Sequence, residues 1–314
     1  MTPSWHAEHT PDSPAIIMGS TGETVTYAEL EDRSGRLAGA LSSRGVAGGG
    51  HIAILMENSR PFLEVAWAAQ RSGLHYTAIN THLRPAEVQY VLDDCGASAL
   101  VTSQRLAGLV TELDLSRIRT RVSAGGELPG FERYEEVLAR QAPGLLASQR
   151  EGREMLYSSG TTGRPKGVRK PLPGTVFGDP SAAPVQVARG MSALGFGSAA
   201  VYLSPAPLYH SAPLVYSMSM HRLGTTVVVM EQFEPRQCLE LIERHQVTHA
   251  QFVPTMFIRM LRLPADERER YDTSSLTLAL HAAAPCPVTV KRQMLDWWGP
   301  RTSSPAIPPS RTSP

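Results

Sequence analysis

What most constrains this chain is a rhythm. Short runs of aliphatic and β-branched residues alternate with stretches of helical periodicity, in two successive blocks. In the first block, Thr26 followed by Glu29 forms a capping box, and Tyr27, Leu30, Leu37, Ala38 and Leu41 then share one helix face until Gly45. Residues 51–56, 76–80 and 99–103 read as strands, with helices expected after Ser59 and over 84–95. Residues 104–152 are less regular and read as a connection with one helix near 134–140, before a strand at 154–157. After a loose, Pro-rich stretch at 171–184, the second block places strands at 200–204, 225–230, 248–253 and 276–281. Helices at 212–223, 235–245, 254–263 and 287–298 follow them in turn. Strands joined through helices must cross over, and crossovers build parallel sheets covered on both faces. The expected fold class is therefore α/β, with two doubly wound parallel-sheet lobes, 1–170 and 171–300. The final segment, 301–314, reads RTSSPAIPPSRTSP and holds one large apolar residue, Ile307. Such a composition cannot bury a core, and disorder is expected there.

Charge and cysteine content exclude several functions. Lys and Arg number 30 against 29 Asp and Glu, so the net charge is +1. That leaves no basic footprint for nucleic acid and no polybasic patch for a lipid surface. No apolar run reaches the roughly eighteen residues that span a bilayer, and residues 1–18 show no basic start followed by an apolar block. Cys95, Cys238 and Cys286 are odd in number and far apart. A disulfide framework or zinc site is not expected, and a cytoplasmic location is. Only three of the 30 basic residues are lysines: Lys166, Lys170 and Lys291. A chain that otherwise uses arginine calls for a chemical reason where it uses lysine.

Lys166 stands in the segment YSSGTTGRPKGV, residues 157–168. Gly160, Gly163 and Gly167 let the backbone turn tightly and approach a ligand. The hydroxyls of Ser158, Ser159, Thr161 and Thr162 lie among them, and hydroxyls with free N–H groups form a nest for phosphate oxygens. Lys166 adds a point charge on a flexible stem, suited to a polyphosphate. No GxxxxGK[ST] frame fits, so this is not a Walker A loop. A flexible Gly/Ser/Thr linker is the bland alternative. The apolar strand before the loop and the Pro-Lys-Gly after it argue against that alternative.

The segment resembles the phosphate-binding signature of the acyl-adenylate-forming superfamily, which includes acyl-CoA synthetases, luciferases and peptide-synthetase adenylation domains. TPDSPAII, TVTYAEL, ILMENSRPF, PLYHSAP (207–213), THAQFVPTMF and HAAAPCP resemble other segments of that family, and LALHAAAPCPVTVKRQMLDWWGP is most similar to fatty acyl-CoA ligases. The resemblance implies ATP-dependent activation of a carboxylic acid to acyl-AMP, followed by thioester formation with CoA, with Mg²⁺ assisting. It implies phosphate contacts from Ser158, Ser159, Gly160, Thr161, Thr162, Gly163 and Lys166. It places His210 where the acyl pocket meets the nucleotide, and lets adenine lie against the small-residue turn Ala282, Ala283, Ala284 and Pro285. His210 and Lys166 are thus the implied catalytic residues, and the partners are small molecules: the acid, ATP and CoA.

The resemblance ends near Pro300. It implies that a YGxTE-like motif, a ribose-binding Asp and a mobile C-terminal domain would follow in relatives, carrying Mg²⁺, ribose and much of CoA recognition. The expectation is a truncated or frame-shifted chain with feeble or absent thioester-forming activity. A non-catalytic nucleotide-binding fragment is one alternative. An amidase with a Ser-Ser-Lys arrangement is another, disfavoured because no lysine precedes Lys166. His245 and His249 are four apart but lack the Glu of HExxH, so no metal-binding residue is expected.

Overall fold

The computed structural model of the chain describes residues 2–46, 48–142, 144, 148–158 and 165–301. Among the described residues the strands form two six-stranded sheets and one short ribbon. The first sheet has the order Glu132–Arg133, Thr120–Ala124, Ala99–Ser103, His51–Leu55, His75–Ala78 and Arg153–Glu154, and all its pairs are parallel. The second has the order Leu278–His281, His249–Phe252, Val201–Ser204, Thr226–Val229, Pro14–Met18 and Thr24–Thr26. Its one antiparallel pair joins the last two strands.

Alternate residues of a strand face opposite sides, which sorts the interior into three layers. Ile52 and Ile54 face a central core that also takes Tyr202, Val227 and Val229 from the second sheet. Ala53 and Leu55 face outward onto helix Pro85–Cys95, through Val88, Val91 and Leu92. Leu203 and Val228 face the opposite outer layer, meeting Leu239 and Ile242 of helix Pro235–Arg244 and Phe257 of helix Pro254–Leu261. The result is helix, sheet, helix, sheet, helix. Strands covered on both faces explain why runs such as HIAIL and ALVTS are buried at every residue.

The central helix layer is Tyr27–Ser43, Arg60–Arg71 and Ser211–Leu223. The expected capping box opens the first of these: Glu29 N–H donates to Thr26 Oγ1 (3.2 Å) and Thr26 N–H to Glu29 Oε2 (2.8 Å). In Arg60–Arg71, ten of twelve residues are buried, so it is a core helix and has no solvent stripe. Most of its buried polar side chains find partners, Glu64, Trp67 and Gln70 among them. Trp67 Nε1 donates to His221 Nδ1 (2.9 Å), and His221 Nε2 donates to the Ala15 carbonyl (3.0 Å). One neutral imidazole thereby ties the first sheet's helix to the second sheet.

The α/β class and the parallel sheets agree with expectation, but a division at residue 170 does not describe the sheets. Pro14–Met18 pairs in parallel with Thr226–Val229, so the start of the chain builds the sheet of the second block. Strand Thr120–Ala124 lies where a connection was expected, and helix Ala183–Ser192 starts at the end of the loose stretch 171–184 and runs through residues to which no element was assigned. Of the segment 301–314, all but Arg301 lies outside the described residues. Among the described residues, no helix is long and apolar enough to cross a membrane.

Candidate functional site

Ligands of open α/β sheets bind outside the carboxyl ends of the strands. Here those ends from both sheets open on one cavity of about 530 Å³. Ala78 and Ile79 come from the end of a first-sheet strand; Ala206, Gln251, Val253 and Ala283 come from the ends of second-sheet strands. Tyr209, His210, Ala212 and Pro213 close another side, and Tyr157 and Pro165 form an edge.

Tyr157 and Pro165 flank the Gly/Ser/Thr loop. Strands Leu156–Ser158 and Lys166–Val168 pair antiparallel, with Ser158 opposite Lys166 and Tyr157 opposite Gly167. A Cβ at residue 167 would lie 2.7 Å from the Tyr157 ring, so only glycine lets that ring cross the ribbon. The Tyr157 hydroxyl donates to Asp94, which anchors the ribbon on helix Pro85–Cys95. Burial, reinforced by Asp94, raises the Tyr157 pKa, so the phenol stays protonated. Of the expected phosphate-binding residues, Ser159, Gly160, Thr161, Thr162 and Gly163 lie outside the described residues. Ser158 and Lys166 bracket that loop, and Lys166 is exposed beside the cavity-lining Pro165.

His210 is the N-cap residue of helix Ser211–Leu223, in extended backbone conformation (φ −84°, ψ 150°). That geometry turns the chain from strand end to helix at the cavity. The ring lies against Tyr209, with centroids 4.7 Å apart. Partial burial lowers the His210 pKa below its ordinary 6.5, so the imidazole is neutral at neutral pH. The small-residue turn follows strand Leu278–His281, and Ala283 adopts φ +71°. The structure thus brings His210 and Ala283 into one cavity wall, while Ala282, Ala284 and Pro285 stand beside it in the turn.

A second cavity of about 340 Å³ lies behind Ser211 and Ala212, which line both. Helices Ala183–Ser192 and Ser211–Leu223 wall it, with Arg153, Glu154, Lys170 and Arg222 among its polar residues. Arg222 is committed to a buried pair with Glu151, which also accepts from Gln70 Nε2 (2.5 Å) and Gly178 N–H (2.7 Å).

The first cavity also holds residues that motif reading passed over: Asn80, Tyr209 and Gln251. For Gln251 a signal was present, a long polar side chain inside the buried strand HAQF. No carboxylate lines this cavity, and no three His, Cys, Asp or Glu residues cluster among the described residues. The described residues therefore do not fit a Mg²⁺ site of their own.

Comparison with known proteins decides the family. The family model for AMP-binding enzymes matches residues 4–305. The chain belongs to the AMP-binding enzyme family. It is 31% identical over 279 residues to 4-coumarate–CoA ligase 3 of Oryza sativa subsp. japonica, covering 87% of this chain and 49% of that protein. It is 29% identical to the fatty acid–[acyl-carrier-protein] ligase ScoC of Streptomyces coeruleorubidus, covering 88% of this chain and 52% of that protein. Among solved structures, the N-terminal domain of FACL13 from Mycobacterium tuberculosis superposes with a TM-score of 0.80 at 24% identity, over 94% of this chain and 72% of that one. The chain spans about half the length of the curated relatives it matches.

Proposed function

We propose that this chain is the part of an AMP-forming acid–thiol ligase that binds ATP and a carboxylic acid. The observation that carries the proposal is the cavity itself. It lies at the strand ends of both sheets, is bordered by both arms of the Gly/Ser/Thr loop, and presents His210 and Ala283 in its wall. In the reaction, a carboxylate oxygen attacks the α-phosphorus of ATP, and the bond from that phosphorus to pyrophosphate breaks. Acyl-AMP and pyrophosphate result. The sulfur of CoA then attacks the acyl carbonyl, AMP departs, and the thiol proton goes to solvent.

The first step brings an anion to a polyanion. The loop from Ser158 to Gly163 would offer hydroxyls and N–H groups to the phosphates, and Lys166 would balance charge on the departing pyrophosphate. A neutral His210 would border both substrates as a hydrogen-bonding group without adding a charge. Adenine would lie against the turn at Ala282 to Pro285, where small side chains keep the backbone accessible. The second substrate is an acid that fills a mainly apolar cavity. Relatives that act on coumarate and on fatty acids support an aryl or alkyl carboxylic acid, a fatty acid included.

The test is ATP–pyrophosphate exchange on the purified chain with a panel of aryl and alkyl acids. Acid-dependent exchange is expected, falling at least about a hundredfold in Lys166→Ala. Exchange with no acid in the panel, or exchange indifferent to Lys166, would reject this proposal.

A further inference from the structure

Asn58, in the segment ILMENSRPF, takes no part in the chemistry proposed above. It follows strand His51–Leu55 at the carboxyl end of the first sheet and is 5% exposed. Its side-chain amide reaches across to the second sheet. Nδ2 donates to the Met230 carbonyl (2.7 Å) and to the Ala206 carbonyl (3.1 Å), and Oδ1 accepts from the Leu208 N–H (2.7 Å). Met230 and Ala206 follow the neighbouring strands Thr226–Val229 and Val201–Ser204, so one amide joins the carboxyl ends of three strands from two sheets. The 530 Å³ cavity opens at that same end.

The three partners fix the amide's orientation. A flipped amide would set its oxygen against two carbonyls and its NH₂ against an N–H. Among side chains of this size only asparagine supplies both donors and the acceptor; aspartate lacks the donors and leucine lacks everything. The amide is itself held in place. Glu57, next to it, accepts from Ser103 Oγ (2.6 Å), and Ser59 opens the buried helix Arg60–Arg71. The segment it grips has few hydrogen-bond donors of its own. Residues 204–210 read SPAPLYH, and Pro205 and Pro207 have no N–H to give. Ala206 and Leu208 alternate with those prolines, and Tyr209 and His210, which follow at once, line the cavity. We propose that Asn58 is a positioning residue: its amide fixes the chain from Ala206 to Leu208 and so sets Tyr209 and His210 in the cavity wall. The inference rests on that cavity being the reaction site, as proposed above, and adds what places His210 there.

The test has two parts. Amide hydrogen exchange on the purified chain, resolved residue by residue by fragmentation in the mass spectrometer, reads the segment without any turnover. In the unaltered chain the Leu208 amide should exchange at least about a hundredfold more slowly than in a free peptide. In Asn58→Ala it should lose about tenfold or more of that protection, while strand His51–Leu55 and helix Ser211–Leu223 keep theirs. ATP–pyrophosphate exchange then reads the consequence, at a temperature where thermal melts show every variant folded. Asn58→Ala should lower that exchange on the order of a hundredfold, the cost of a misplaced group. In a His210→Ala background the same substitution should cost less than about threefold, because the side chain it places is gone.

A Leu208 amide that exchanges at the free-peptide rate in the unaltered chain would overturn the inference, even where the variant fails to fold. So would an Asn58→Ala chain that loses protection equally in the segment and in the sheets, since Asn58 would then contribute stability alone. Equal losses of activity with and without His210 would overturn it too. If the unaltered chain shows no pyrophosphate exchange with any acid, the proposed activity falls by itself, and the amide exchange still decides whether Asn58 holds the segment.

Discussion

Ala283 shows how a single residue can hold both backbone tension and a function. It is one of two non-glycine residues with positive φ among those described, at +71°. An L-residue with a Cβ is disfavoured there by about 1–2 kcal/mol, and such outliers concentrate at functional sites. Ala283 also lines the cavity, at the turn against which adenine is proposed to lie. Glycine would relieve the backbone and still leave the wall open. Ala283→Gly is therefore expected to gain up to about 1 kcal/mol of stability, less what the freer unfolded chain takes back. Ala283→Val should lose about 1–3 kcal/mol and narrow the cavity. Chemical denaturation of both variants checks the pair. A loss on going to glycine would mean that the Ala283 methyl makes contacts worth more than the strain.

Between elements, the central helices carry the coupling. Helix Ser211–Leu223 and helix Arg60–Arg71 meet across a buried polar set, in which Arg222 pairs with Glu151 and lies over the Trp67 ring at 5.1 Å. Glu151 is 1% exposed, so Arg222→Met would leave a carboxylate in the core. A loss of about 3–5 kcal/mol is expected, largely the cost of an uncompensated charge and only in small part the net worth of the pair. Arg222→Met with Glu151→Gln keeps an acceptor for Gly178 N–H and removes that charge, so the double variant should be more stable than the single one. Denaturation midpoints of the two variants, with Glu151→Gln alone completing the cycle, decide it, and strictly additive losses would contradict the coupling.

This element scale is also where legibility divides. Helices opened by Pro235 and Pro254, and strands such as Ala99–Ser103, follow from local punctuation and periodicity. Strand Thr120–Ala124 has only Val122 as a large apolar residue, and helix Ala183–Ser192 is masked by Pro184 and Gly190. The pairing of Pro14–Met18 with Thr226–Val229 spans more than two hundred residues, and nothing local encodes it. In the site, His210 stood out through its neighbours in PLYHSAP. For Gln251 the signal was weaker, a long polar side chain in the strand HAQF, and its place in the cavity wall comes only from the fold.

Across the whole molecule, buried imidazoles set the response to acid. Burial pushes the His221 pKa from 6.5 to about 4. At His51, burial, with a smaller contribution from His75, pushes it to about 3. The hydrogen bonds agree with neutral rings: His221 must accept from Trp67 at Nδ1, and His51 Nε2 lies 2.8 Å from Thr77 Oγ1, which itself donates to the Met155 carbonyl. Both pKa values are lowered in the folded state, so the unfolded chain binds protons first. The stability these residues contribute is whole above pH 6.5 and is lost as pH falls from 6.5 toward 4 for His221 and toward 3 for His51. For His221 alone the loss is on the order of 3 kcal/mol. Two such groups together approach the roughly 5–15 kcal/mol that holds a typical domain folded. Unfolding free energy measured by denaturant should therefore fall as pH drops below 6.5, with His221 and His51 together contributing up to about 2.7 kcal/mol per pH unit, and the other histidines whose pKa burial lowers, such as His6 and His249, steepening the slope further. Carboxylates titrate in the lower part of this window, so the upper part, from pH 6.5 to about 5, is where the histidines are read most cleanly. His51→Val should lower the slope by one proton's worth, about 1.4 kcal/mol per unit, whatever it does to the stability at neutral pH. A slope unchanged in His51→Val would show that this imidazole already takes up its proton in the folded chain.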